Sequence, residues 1–232
     1  MRRFFREAAV SENADGFTVV LDGKPIHTPA KAPLVVPSRA LAAAVAAEWQ
    51  AQGAKLSPQS LPLTRLASTA IDLVATRRGE VVADIAKYAG TDLVCYRASH
   101  PPALAARQSL AWQPMLDWIE ERYAARLAVA AGIVPVAQPD TSLAALAAAV
   151  AAHDTMTLAA LNLAANALGS LVLALALIEA RIDADAAFAL SQLDESYEIE
   201  RWGEDEEQTR RRAALREDIG LAARFLELLR AP

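Results

Sequence analysis

Carboxylates dominate one short segment near the carboxyl end of the chain. Eight aspartate or glutamate residues occur within residues 194–207, where the sequence reads DESYEIERWGEDEE. Two carboxylates at a suitable distance can carry out general acid–base catalysis. No pocket-forming glycines and no second catalytic cluster accompany this segment, so its composition does not favour an enzyme.

Two other interpretations of the acidic segment remain open. If Gly203 ends a helix, residues 204–207 form the first turn of the next one, where carboxylates stabilise the helix dipole and the arginines at 210–212 can pair with them. That local role does not require Tyr197 and Trp202 on the preceding helix. Aromatic anchors beside a charged rim are typical of protein-binding surfaces. The segment therefore predicts a partner-binding surface.

Cys95 is the only cysteine in the chain and so the only possible thiol nucleophile. Nucleophilic catalysis would need a histidine base within hydrogen-bond reach, and His100 is close in sequence, although Pro101 and Pro102 follow it. A free cysteine is more often a small buried hydrophobic residue. A small cysteine-dependent hydrolase or transferase that uses Cys95 and His100 is the alternative function.

Metal, cofactor and nucleic-acid binding have little support in the sequence. His27, His100 and His153 lie far apart, without the paired spacing of a zinc site. The nine glycines form neither a P-loop nor a dinucleotide-binding motif. We expect no metal and no cofactor. The net charge of −5 and the lack of a basic stripe indicate that nucleic acid is not a partner.

Residues 158–178 carry no charge over 21 positions, about the length of a membrane-spanning helix. The run is rich in alanine, contains Asn162 and Asn166, and is broken by Gly169 and Ser170. We therefore expect two buried helices, or one kinked helix, in a bundle and no membrane insertion. The start of the chain lacks the apolar stretch of a secretory signal, and a single cysteine suits a reducing compartment.

The element pattern predicts an α+β fold with two domains. Turn residues at 13–16 and the Asp22-Gly23 pair favour an antiparallel meander. The predicted strands are 17–21, 24–28 and 34–36. Ser38 is the expected N-cap of a helix that ends at Gly53. The Ser/Pro-rich residues 57–62 form the candidate linker. The predicted domains are a small β-rich domain with one helix, 1–62, and a larger α-helical bundle domain, 63–232.

Within the second domain, TDLVCYR at 91–97 alternates like a strand that could join the N-terminal sheet. An amphipathic helix is predicted from Trp112 to Leu127. Trp49 and Trp112 each lie on the apolar face of a predicted helix, so both are expected in the core.

Several stretches occur together, in order, in one known family. They are RRFF, VLDGKPIHTP, VPSRALAAAVAAEW, TDLVCYR, WQPMLDWIEERY and LDESYEIERWG. The chain resembles, over nearly its whole length, the assembly chaperones that bind the alpha subunit of the F-type ATP synthase. The resemblance implies a non-enzymatic protein that holds the unassembled alpha subunit and covers its beta-contacting surface until the catalytic head forms.

The resemblance also implies a site. The important glutamate of the family follows its W-G pair, and the W-G-x-x-E spacing selects Glu206, with Glu207 and Glu195 as further candidates beside Trp202 and Tyr197. We expect no targeting extension of the kind that mitochondrial members carry for import into the matrix. Together with its alanine and arginine content, this leads us to expect the bacterial cytoplasm. We also expect the free protein to be monomeric.

Overall fold

The chain forms an N-terminal antiparallel sheet followed by helices, in a computed structural model that describes residues 2–132 and 134–231. The strands are β1 (Ala8–Asn13), β2 (Gly16–Leu21), β3 (Lys24–Pro25), β4 (Val35–Val36), β5 (Tyr96–Arg97) and β6 (Ala130–Ala131). The α-helices are α1 (Arg39–Gln50), α2 (Pro62–Thr69), α3 (Arg78–Ala86), α4 (Pro102–Tyr123), α5 (Asp140–Ala151), α6 (Thr155–Leu168), α7 (Leu171–Ile178), α8 (Ala184–Ser191), α9 (Leu193–Trp202) and α10 (Glu206–Arg230). Short 3-10 or π turns occupy Pro58–Ser60, Ala70–Val74, Lys87–Thr91 and Leu93–Cys95. The predicted α+β fold class is confirmed.

The hairpin predicted at Asp22-Gly23 is present. Both residues have positive φ, 47° and 82°, as a two-residue turn with the twist of the flanking strands requires. Leu21 accordingly pairs with Lys24. The strand after the turn is shorter than predicted, since β3 ends at Pro25. β2 is the central strand, because β1, β3 and β4 all pair with it antiparallel.

The helix predicted after Ser38 is also present. The hydroxyl of Ser38 accepts a hydrogen bond from the backbone N–H of Leu41 at 3.1 Å, which satisfies one of the free donors at the start of α1. The same hydroxyl donates to the carbonyl oxygen of Leu228 at 2.5 Å. Ser38 is therefore both the predicted N-cap and an attachment point for the end of α10.

The backbone divides into two compact units. One comprises residues 2–78, 154–160 and 224–231, and the other comprises residues 79–132, 134–153 and 161–223. Within the first unit, the Glu48 carboxylate accepts hydrogen bonds from the N–H groups of Leu63 and Thr64, at 2.6 and 2.9 Å. The carboxylate thus caps α2 immediately after the Ser/Pro-rich segment. The boundary after residue 62 stays a prediction.

The second unit is built around α7, whose eight residues are all buried. Gly169 (φ 63°) ends α6, and the hydroxyl of Ser170 caps α7 by accepting from Leu173 N–H at 3.0 Å. The uncharged run therefore forms two helices, as predicted. Over residues 2–132 and 134–231, no helix combines the length and apolar character needed to cross a membrane.

Two predictions for the second domain are wrong. Leu93–Cys95 form a 3-10 turn rather than a strand, because Asp92 caps it through Val94 N–H. Only Tyr96–Arg97 are extended, and they pair with β6 in a separate two-stranded sheet. The helix expected from Trp112 begins ten residues earlier, at Pro102. Proline suits the first position of a helix because a backbone N–H there, which proline lacks, has no hydrogen-bond acceptor within the helix.

The two tryptophans that were predicted to lie in the core differ in how deeply they are buried. Trp112 is 1% exposed, and its indole N–H donates to the carbonyl oxygen of Leu190 at 2.9 Å. Its place in the core is confirmed. Trp49 is only partly buried, and its ring packs edge-on against Phe5 with centroids 5.9 Å apart. Trp49, which was predicted in the core, therefore lies at the edge of the core.

Candidate functional site

The acidic segment forms the junction between α9 and α10. Gly203, whose φ is 85°, ends α9 directly after Trp202, as the sequence predicts. The carboxylate of Asp205 accepts a hydrogen bond from Gln208 N–H at 2.7 Å and so caps α10, which begins at Glu206. Glu204 consequently precedes the helix instead of lying in its first turn, whereas Glu206 and Glu207 occupy that turn.

Part of the acidic segment is engaged in contacts within the second unit. The pairs are Asp194 with the Gln108 amide at 2.7 Å, Glu200 with Arg107 through two bonds of 2.8 Å, and Glu204 with Arg212 at 3.5 Å. The first two attach α9 to α4, and the third joins the junction to α10. The expected pairing with the arginines at 210–212 is therefore present for Glu204. The contacts of Asp194 and Glu200 with α4 were not predicted.

Other side chains of the segment, among them Trp202, Glu206 and Glu207, are exposed. Trp202 is 77% exposed, and Glu207 is exposed without a side-chain partner among the residues that the structure describes. Glu206 is 87% exposed and only loosely paired with Arg210, at 3.7 Å. Glu195 lies half-buried in the first turn of α9. An exposed aromatic ring thus lies at the end of α9, and two exposed carboxylates lie in the first turn of α10.

Tyr197 is not part of this exposed surface. It is 7% exposed and shares the inward face of α9 with Leu193, as their spacing predicts. The guanidinium of Arg201 lies 4.3 Å from its ring centroid. Because burial withholds the ring from any partner, the assignment of Tyr197 as a contact residue is corrected to a packing residue.

The cysteine-dependent alternative is contradicted by the surroundings of Cys95. The thiol is fully buried, and desolvation, with the nearby charge of Asp92, raises its pKa to about 12. His100 is exposed, and no hydrogen bond joins the two side chains within the described part of the chain. A thiol that keeps its proton and has no adjacent base cannot act as a nucleophile at neutral pH.

Asp92 is a structural residue that the sequence did not single out. Its carboxylate is fully buried and accepts hydrogen bonds from the Ser170 hydroxyl at 2.5 Å and from the backbone N–H groups of Val172 and Val94 at 3.0 and 3.2 Å. Desolvation raises its pKa to about 6 against the opposing effect of these bonds. One carboxylate therefore caps both the 3-10 turn at Leu93–Cys95 and the start of α7, which are far apart in the sequence. The sequence signal that could have identified Asp92 is its position directly before a short apolar turn, where an aspartate is a favoured N-cap.

An exposed aromatic side chain and exposed carboxylates at one helix junction are the residue types that protein-binding surfaces use. Among the described residues, no group of three or more His, Cys, Asp or Glu side chains is arranged to hold a metal ion.

The comparisons with known proteins identify the family. Residues 2–120 match the family model described as ATP12 chaperone protein. The chain therefore belongs to this family, whose members are chaperones and not enzymes, in agreement with the ATP synthase assembly factors that its motifs resemble.

Solved structures and a curated relative agree with this assignment. The crystal structure of Atp12 from Paracoccus denitrificans is 41% identical, with a TM-score of 0.95, and the match covers 99% of this chain and 98% of that one. A lysine-substituted mutant of the same Atp12p gives the same values. The mitochondrial protein atp12 of Schizosaccharomyces pombe is 22% identical over 214 residues, covering 87% of this chain and 74% of the relative.

Proposed function

We propose that this chaperone binds the unassembled alpha subunit of the F-type ATP synthase and covers its beta-contacting surface until the catalytic head forms. Membership of the ATP12 chaperone family supports a subunit of the ATP synthase as the client. The observation that carries the choice of surface is the junction between α9 and α10, where Trp202 is 77% exposed and the carboxylates of Glu206 and Glu207 are also exposed.

Such a surface suits temporary binding. A large aromatic ring that becomes buried supplies much of the free energy of association, while charged groups around it set orientation and the rate of encounter. Subunit interfaces within permanent assemblies are large and apolar, so an isolated subunit exposes a surface prone to aggregation. The chaperone must cover that surface less tightly than the beta subunit does, so that it can be displaced.

Glu206 is the carboxylate that we assign to direct contact with the client. It lies at the first position of α10, and its single ion pair, with Arg210, is long and exposed to water. Pairs of this kind contribute only about 0 to 1 kcal/mol. The carboxylate is therefore free to exchange Arg210 for a basic group of the alpha subunit. Glu207 and the half-buried Glu195 are the secondary candidates.

The remaining parts of the proposal concern where and in what form the chaperone acts. We place it in the bacterial cytoplasm, where a reducing environment suits its one buried cysteine. We take the free form to be a monomer, because covering a client surface in a one-to-one complex requires only one copy.

The test is co-purification from cells that express the tagged chaperone and the alpha subunit of its host without the beta subunit. The alpha subunit should be retained in a stoichiometric complex. A parallel culture that expresses the beta subunit without alpha is the control and should give no complex. Failure to retain alpha, or equal retention of beta, would reject the proposed client.

A further inference from the structure

Arg212 of α10 contacts residues on both sides of the glycine that separates α9 from α10. Its guanidinium donates a hydrogen bond to the Ser196 hydroxyl of α9 at 3.2 Å and pairs with the Glu204 carboxylate at 3.5 Å. Ser196 precedes Gly203 in the chain, and Glu204 follows it. The Arg212 side chain is only 17% exposed, so solvent screens these contacts less than it screens the exposed ion pair of Glu206.

The same side chain also packs against α8. The Arg212 guanidinium lies 5.2 Å from the ring centroid of Phe188, which is 7% exposed. A planar guanidinium can stack on an aromatic ring while its N–H groups bind oxygen atoms at its edge, whereas an ammonium group is a compact point charge. One side chain of α10 therefore contacts α8, α9 and the segment between α9 and α10.

The backbone at Gly203 does not by itself fix the angle between α9 and α10. Glycine populates positive and negative φ about equally well, so its φ of 85° is one of several values open to the residue. Trp202 is the last residue of α9, and Glu206 is the first of α10. Their relative position consequently also depends on side chains that join the two helices, as Arg212 does.

We propose that Arg212 is a positioning residue, which sets the angle between α9 and α10 so that Glu206 reaches the client surface on which Trp202 is anchored. This inference rests on the proposed function for the identity of the client. It deepens that function, because it assigns the shape of the binding surface to a largely buried residue that does not itself touch the client. A surface that is already arranged before binding loses less conformational freedom on association and so binds more tightly.

The first experiment compares the affinities of Arg212→Lys and Arg216→Lys for the alpha subunit. Lysine keeps the charge but lacks the planar group that makes all three contacts of Arg212 at once. Arg216 is the matched control, because it lies one turn further along α10, 4.6 Å from the same aromatic ring centroid, and pairs with Asp185 of α8 at 3.3 Å. Arg212→Lys should weaken binding by about tenfold. Arg216→Lys should bind within about twofold of the unchanged protein.

A double-mutant cycle separates positioning from a general loss of stability. Glu206→Gln removes the charge through which Arg212 is proposed to act. In that background, Arg212→Lys should weaken binding by about twofold or less, because the contact that it misplaces is already lost. A full tenfold loss in both backgrounds would overturn the inference, since the effect of Arg212 would then not pass through Glu206. Unchanged affinity of Arg212→Lys alone, in a protein that keeps its melting temperature, would overturn it as well.

The second experiment measures the helix geometry in the absence of any client. Cysteines that replace the exposed Glu198 of α9 and Glu217 of α10 carry spin labels, and double electron–electron resonance gives the distribution of distances between them. Cys95 is buried, so labelling is confined to the introduced cysteines. Arg212→Lys should broaden or shift this distribution, whereas Arg216→Lys should leave it unchanged.

The two experiments fail in different ways. If Arg212→Lys leaves the distance distribution unchanged, the positioning role is wrong, and the proposed function stands. If the unchanged chaperone does not bind the alpha subunit at all, the proposed function is rejected, and the binding role of Arg212 is rejected with it.

Discussion

The carboxylate of Asp92 accepts a hydrogen bond from the Ser170 hydroxyl at 2.5 Å, across a sequence separation of 78 residues. The same carboxylate caps the 3-10 turn at Leu93–Cys95 and the start of α7. It therefore fixes the two segments to each other at the centre of the second unit. An ionisable group in this position links the stability of the unit to pH.

The free energy of unfolding should depend on pH through Asp92. Burial raises the pKa of this carboxyl from 3.8 to about 6, so the folded state holds the proton more tightly than the unfolded state does. The resulting stabilisation is complete below pH 3.8 and is lost as the pH rises through about 6. Between pH 5 and pH 7.5, this group alone should lower the free energy of unfolding by about 1 kcal/mol.

Asp92→Asn is the control for this effect, since it keeps the shape of the side chain and removes its titration. Urea denaturation at several pH values should show a smaller fall in stability for the variant than for the unchanged protein over the same interval. Parallel pH profiles would show that Asp92 does not titrate in this interval.

The sequence predicted the features that depend on local rules. The Asp22-Gly23 turn, the Ser38 cap and the Gly203 break each need only a few neighbouring residues to be recognised. Asp92 was overlooked because its partners Ser170 and Val172 are distant in sequence. Tyr197 and Trp202 were treated alike because a helical pattern does not show how deeply each side chain is covered.

Trp112→Ala should destabilise the protein strongly. The ring is 1% exposed, and its N–H bonds to Leu190, so truncation leaves a cavity and a carbonyl without its partner. The expected cost is about 3 to 5 kcal/mol. Trp49→Ala, measured in the same denaturation series, should cost clearly less because the ring is only partly buried. Equal losses for the two variants would contradict the different burial assigned to them.

Cys95 should be inert to alkylation in the folded protein. Its thiol is buried and its pKa is raised to about 12, so almost no thiolate is present at pH 8. Incubation with iodoacetamide followed by mass spectrometry should show one modification only after unfolding in denaturant. Rapid modification of the native protein at neutral pH would restore the thiol-dependent alternative.

Glu206→Lys should abolish binding of the alpha subunit while leaving the fold nearly intact. The side chain is 87% exposed, so the substitution changes only the helix dipole interaction and a weak pair with Arg210. The loss of stability should be about 1 to 2 kcal/mol. Affinity can be measured by titrating a labelled alpha subunit with each purified variant.

The control for Glu206→Lys should have the same change in charge on the same helix. Glu217→Lys meets this requirement, because Glu217 is exposed on α10 and away from the junction. Glu204→Lys is less suitable, since Glu204 is paired with Arg212 and its reversal would disturb the junction itself. Equal weakening by Glu206→Lys and Glu217→Lys would indicate a diffuse acidic field and no specific contact.

The most direct test of the proposed function follows light scattering from purified alpha subunit that aggregates in the absence of beta. Addition of the chaperone at a one-to-one ratio should suppress the scattering, and later addition of the beta subunit should release free chaperone, as size-exclusion chromatography would detect. Release is the decisive result, because it requires that the chaperone and beta compete for one surface. Unchanged aggregation, or a chaperone–alpha complex that also retains beta, would contradict the account.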